Sequence, residues 1–148
     1  MRPFEVETSV RCSLGMAWIR YRLTRLWIVQ VSRSYRVIVW DFDTKQVLRQ
    51  KTIEQTAPDK LTMNDIESLA LTANKKYVIS VNSQSGGTNK KYAYAYKTGG
   101  GEFMPFTKGS ILIYNACYRN TATALFPDTT PNIKSELYGY PEFTFIPD

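Results

Sequence analysis

The chain has 148 residues, 43% of them hydrophobic and 14% aromatic, with a formal net charge of +6; this suits one domain with a buried core and is too apolar for a disordered tail. It contains no histidine, which excludes Ser-His-Asp and Cys-His nucleophiles, His-ligated zinc and imidazole acid–base chemistry. The positive charge is confined to residues 1–51, with 10 Lys+Arg (eight of them Arg) against 4 Asp+Glu, and the remainder is balanced.

The first segment alternates. Phe4, Val6, Val10, Cys12, Leu14, Met16 and Trp18 hold even positions and polar residues lie between them, the period of a strand with one buried face. Gly15 inside the run predicts a bulge or bend. Ile19, Tyr21 and Leu23 continue the alternation, and Leu26–Val31 is apolar enough for a central strand. The most apolar stretch, Leu14–Val31, is broken by Arg20, Arg22 and Arg25, so no transmembrane segment is expected. No export signal is visible after Met1.

Tyr35–Phe42 is dense in strand formers, and Asp41, Asp43, Thr44 and Lys45 predict a hairpin turn leading into a returning strand through Ile53. Asn64–Leu71 is ambiguous: Ile66 and Leu69 have helical spacing, Leu69 and Leu71 strand spacing. A strand, a polar turn and a second strand over Tyr77–Val81 is the simpler solution. Residues 82–91 predict an exposed loop, Tyr92–Tyr96 a strand, Gly99–Gly101 a flexible loop and Ile111–Tyr114 a strand. Residues 119–136, with Pro127 and Pro131, form a long connection before a last strand at Phe143–Ile146, stopped by Pro147. About eight to ten strands and no long amphipathic helix predict an all-β fold: an antiparallel β-sandwich, jelly-roll-like, as a single domain over residues 1–148.

Tyr92, Tyr94 and Tyr96 share one face of their run, with Lys91 beside them. Such a row either fills a core or stacks on sugar rings or bases, and these four residues are the candidate ligand-binding set. Trp18, Trp27 and Trp40 lie in apolar runs and are expected in the core. Asp41 and Asp43 flank Phe42, a pattern of calcium ligands or of ordinary turn capping; turn capping is expected, with no metal and no cofactor. Cys12 and Cys117 form either one disulfide of an exported domain or two buried thiols, the latter favoured because both lie in apolar, strand-like runs. Arg20, Arg22, Arg25, Arg33 and Arg36 interleave with Tyr21, Trp27 and Tyr35. That mixture suits phosphate contacts and stacking, but no nucleic-acid motif accompanies it, so nucleic acid is an unlikely partner. No Gly-x-Ser-x-Gly elbow or phosphate loop appears, and no catalytic residues are assigned, so the chain is not expected to be an enzyme.

Three segments carry a resemblance: Tyr35–Asp41 followed by Leu48, the hairpin Leu69–Val81, and the closing strand Tyr138–Phe145. Over residues 35–146 the chain resembles an uncharacterised domain of secreted bacterial surface proteins, the domain of unknown function 4082 type. That domain often accompanies carbohydrate-active or adhesive modules. The resemblance implies a jelly-roll-like sandwich, supplies no catalytic residues, and departs at Asn74, where the family's turn has glycine. The resulting expectation is a non-catalytic extracellular or cell-surface module that binds carbohydrate or a surface protein. The alternative is a structural or assembly subunit, an adhesin or filament component, self-associating by β-augmentation through apolar strands at both termini.

Overall fold

The computed structural model describes residues 4–5, 10–17, 21–28, 33–55, 62–82, 91–92, 94–97, 99–108, 111–121, 123–130, 134–138 and 142–147. Its strands are β1 (Phe4–Glu5), β2 (Val10–Ala17), β3 (Tyr21–Ile28), β4 (Arg33–Asp41), β5 (Val47–Gln55), β6 (Thr62–Leu71) and β7 (Lys76–Asn82). They continue as β8 (Lys91–Tyr92), β9 (Tyr94–Tyr96), β10 (Phe106–Lys108), β11 (Ile111–Arg119), β12 (Glu136–Tyr138) and β13 (Glu142–Pro147). No helix occurs among the described residues. Every strand pairing is antiparallel: a six-stranded sheet in the order β10-β11-β2-β7-β4-β5, a three-stranded sheet β13-β3-β6, and the pairs β12-β9 and β1-β8.

Within the alternating first run, Phe4–Glu5 and Val10–Ala17 are strand, as its period predicts, and β2 lies inside the large sheet with both edges paired, to β11 and to β7. Its side-chain burial, like Val6 and Trp18, lies outside the described residues. Gly15 does sit at a bulge, but the extra residue belongs to the partner strand: Ile113 faces Gly15 and Asn115 faces Leu14, which leaves Tyr114 over. The apolar run at Leu26 lies in β3, the central strand of its sheet.

The ambiguous segment Asn64–Leu71 is strand, and its mixed spacing has a structural cause. Opposite β3, Leu23 pairs with Leu69 and Arg25 with Asp65, so Ile66, Glu67 and Ser68 face Thr24 alone. A bulge of that kind resets the side-chain parity. Ile66 and Leu69, three apart, therefore both reach the core.

One face of the large sheet carries the main core. Alternate positions of β4 (Tyr35, Val37, Val39), β7 (Tyr77, Ile79, Val81) and β11 (Ile111, Ile113) meet Leu69 and Leu71 of β6, Leu137 of β12 and Met104. The other face carries a smaller cluster of Ile38, Trp40, Val78 and Cys117, covered by Phe42, Tyr114, Ala124 and Phe126. With apolar groups on both faces, β4 has no polar alternation between Val37 and Trp40, all 4% exposed or less. Trp40 is in the core as expected; the side chains of Trp18 and Trp27 lie outside the described residues. The indole Nε1 of Trp40 donates to Ser80 Oγ at 2.8 Å, so the buried ring leaves no donor unsatisfied.

The preference for two buried thiols is overturned. Cys117 is disulfide-bonded, and Cys12, the other cysteine of the chain, is its Cα partner across the β2–β11 ladder. Residues 105 positions apart in sequence are side by side only because β2 and β11 pair.

Candidate functional site

Two tight turns meet at one end of the large sheet. In the β4–β5 turn, Asp41 Oδ1 accepts the amides of Asp43 and Thr44 at 3.0 and 3.1 Å, and the Asp41 amide donates to the Gln46 carbonyl at 2.9 Å. The β6–β7 turn passes through Asn74 at φ 61°, a left-handed backbone that asparagine tolerates in place of the glycine of the resembled family. The Tyr77 hydroxyl accepts the Thr72 amide at 2.8 Å. Lys75 Nζ lies 2.5 Å from Asp41 Oδ2, and the Phe42 amide donates to the Lys76 carbonyl at 3.2 Å. The hydrogen bond from Lys75 holds the Asp41 carboxyl below its ordinary pKa, helped by the Thr44 amide. The Asp41 oxygens are thus occupied by the turns, which accords with capping and not with calcium ligation.

After β11 the chain folds back over the second face of the sheet. Tyr118 and Thr129 exchange backbone hydrogen bonds at 2.8 and 3.1 Å. Arg119 Nη1 donates to the Phe126 carbonyl at 3.3 Å and to Asp128 Oδ2 at 2.9 Å. The side-chain amide of Asn82, buried in β7, donates to the Thr123 carbonyl at 3.4 Å. This anchoring sets Phe126 edge-on against Trp40, centroids 5.7 Å apart at 87°, and 6.2 Å from Phe42 at 63°.

Between this connection and the β4–β5 turn lies a cleft of about 330 Å³. Phe42, Asp43 and Lys45 form one bank, Phe126, Asp128 and Thr130 the other, and Cys117 and Pro127 complete the lining. Lys45 has φ 59°, a conformation that costs a side-chain-bearing residue about 1–2 kcal/mol. Its ammonium sits 5.7 Å from the Phe126 ring centroid, and that of Lys76 5.4 Å from Phe42. Tyr114 packs nearby with its hydroxyl buried and without a hydrogen-bond partner among the described residues. Burial, then the charge of Asp43, pushes its pKa up.

The candidate tyrosines are split between two ladders. Tyr92, in β8, faces Phe4 of β1, with Lys91 opposite Glu5. Tyr94 and Tyr96, in β9, face Tyr138 and Glu136 of β12, and Ala95 between them is the partner of Leu137, which is buried in the main core at 4% exposure. The side chains of Lys91, Tyr92, Tyr94 and Tyr96 lie outside the described residues. The cleft itself was not foreseen from the sequence. Its one available signal was Phe126-Pro127-Asp128, an aromatic set in an otherwise polar, threonine-rich connection.

The described residues are thus all-β, in antiparallel sheets. No family model and no curated protein matches it. No described helix is long and apolar enough to cross a membrane.

Proposed function

We propose that the chain is a non-catalytic binding module of the extracellular space or cell surface, a jelly-roll-like β-sandwich of the domain of unknown function 4082 type, and that its ligand is a carbohydrate or a surface partner. The observation that carries this is the β9–β12 register. Residues directly opposite in an antiparallel pair share a face, and successive residues alternate. Leu137 lies in the core and its register partner is Ala95, whereas Tyr94 is paired with Tyr138 and Tyr96 with Glu136, the alternate positions of the same ladder. Aromatic residues at alternate positions of one ladder suit stacking on a ligand. Tyr92 and Lys91 lie in β8, on the separate ladder with β1, and belong to the proposed set by their place in the sequence. The disulfide at Cys117 supports an oxidising compartment, where such bonds persist.

A glycan microarray probed with the intact, oxidised protein tests the proposal. Binding to a defined glycan group is expected, reduced about tenfold or more by Tyr94→Ala, as loss of one stacking contact implies. An array without signal would sink the carbohydrate reading.

A further inference from the structure

We infer that the cleft between the β4–β5 turn and the connection after β11 is a binding site for one neutral sugar ring. The inference rests on the reading of the chain as a carbohydrate-binding module but concerns a site separate from the tyrosines.

Size comes first. A volume of about 330 Å³ is at the lower end of small-ligand pockets, which run from about 300 to 1,000 Å³. It has room for a small ring, not for a folded partner. The shape is that of a V: two half-buried phenylalanine rings inclined at 63°. The Phe126 wall is held in place by Trp40 behind it and by Arg119 on its carbonyl, so little ordering is left for binding to oppose.

The polar groups decide the ligand class. Asp43 brings a carboxylate that only accepts, Lys45 an ammonium that only donates, and Thr130 a hydroxyl that does both. Around the cleft the charges nearly balance: Lys45 stands with Asp43 on one bank, and Arg119 holds Asp128 on the other at 2.9 Å, with Lys76 a further cation 5.4 Å from the Phe42 ring. An anion drawn by Lys45 would also meet two carboxylates, and a cation drawn by the carboxylates would also meet the lysine, whereas a polyol, offering donors and acceptors without charge, satisfies both kinds of group while its C–H face lies on the rings. Position 45 fits this assignment. Glycine would relieve the backbone at φ 59°, yet the residue there is one that sets an ammonium beside the Phe126 ring. Strain of that kind gathers at ligand sites.

The test is an NMR titration of the oxidised, 15N-labelled protein with methyl glycosides of glucose, mannose, galactose and N-acetylglucosamine, and with methyl glucuronide. The expected result is saturable shifts at the amides of Asp43, Lys45 and Phe126 with at least one neutral glycoside. Asp43→Asn and Lys45→Gly should each weaken that binding about tenfold, the scale of a charge-assisted hydrogen bond. Lys45→Gly relieves the backbone, and a melting temperature equal to the parent's is the check that loss of binding there does not come from misfolding. Exposed Glu102, away from the cleft, gives the control Glu102→Gln, expected to bind as the parent does. Shifts confined to residues 91–97 would overturn the cleft and leave the proposed function standing. Tighter binding of the glucuronide would overturn the neutral class. Absence of shifts with every glycoside, on a protein that is positive on the array, would overturn the inference alone; silence in both experiments would overturn both.

Discussion

Asp41 is buried at 4% exposure and spends both carboxylate oxygens, one on two turn amides and the other on Lys75. Its folded pKa is depressed, chiefly by the hydrogen bond from Lys75. The corresponding stability is fully present above the ordinary value of 3.8 and is lost as pH falls through the lower folded value. Lys75 is raised by the same bond. Its share is present below the ordinary 10.5 and is lost as pH rises through the higher folded value. Asp41→Asn keeps an oxygen for the two amides and removes the charge. It should destabilise the protein at neutral pH, with a difference from the parent that shrinks at acidic pH as the depressed carboxyl takes up its proton. Urea unfolding at neutral and at acidic pH measures this, and an equal loss at both would show that the ion pair contributes nothing.

At the scale of elements, β5 and β6 are edge strands of different sheets that lie along one another without a backbone ladder. A groove of about 370 Å³ separates them, lined by residues 47–51 and 65–67. Long cations from β5 span it. Arg49 donates to the Leu48 and Ser68 carbonyls at 2.7 and 3.0 Å and lies 3.5 Å from Glu67, and Lys51 donates to the Asp65 carbonyl. Asp65 and Ser68 flank the bulge in β6, where the ladder to β3 is interrupted. Charged side chains on an edge oppose pairing with another chain, so this edge is guarded against β-augmentation. β2 is interior, with both edges paired, while β1 and β13 each pair on one edge among the described residues. Arg49→Ala combined with Lys51→Ala should uncover the groove and shift the protein towards dimers or larger species at high concentration. Sedimentation velocity against the parent measures this; an unchanged distribution would mean that the two cations do not protect the edge.

For the whole molecule, the disulfide at Cys117 joins distant parts of the chain in the middle of the large sheet. Closing a loop of about 100 residues restricts the unfolded ensemble and is worth about 2–5 kcal/mol in small secreted domains. Cys117→Ser should lower stability by about that amount, and dithiothreitol should lower the melting temperature of the parent but not of the variant. Equal melting of oxidised and reduced parent would remove both the stabilising role and one support for an extracellular home. The same sheet positions the cleft, since Cys117 lines it and Phe126 leans on Trp40 from the next but two strand.

The sequence by itself determined where the backbone is extended and where it turns. Period-two alternation, β-branched runs and turn chemistry at Asp41–Lys45 and Thr72–Lys75 act within a few residues, and local signals of this range survive without knowledge of the fold. Only the tertiary structure decided which strands are neighbours, and with that the bonding of Cys117, the bulge that lets Ile66 and Leu69 share the core, and the cleft joining Phe42 to Phe126. Each depends on register between segments tens of residues apart. Register is chosen by the summed fit of whole faces, and no single stretch of sequence records that sum.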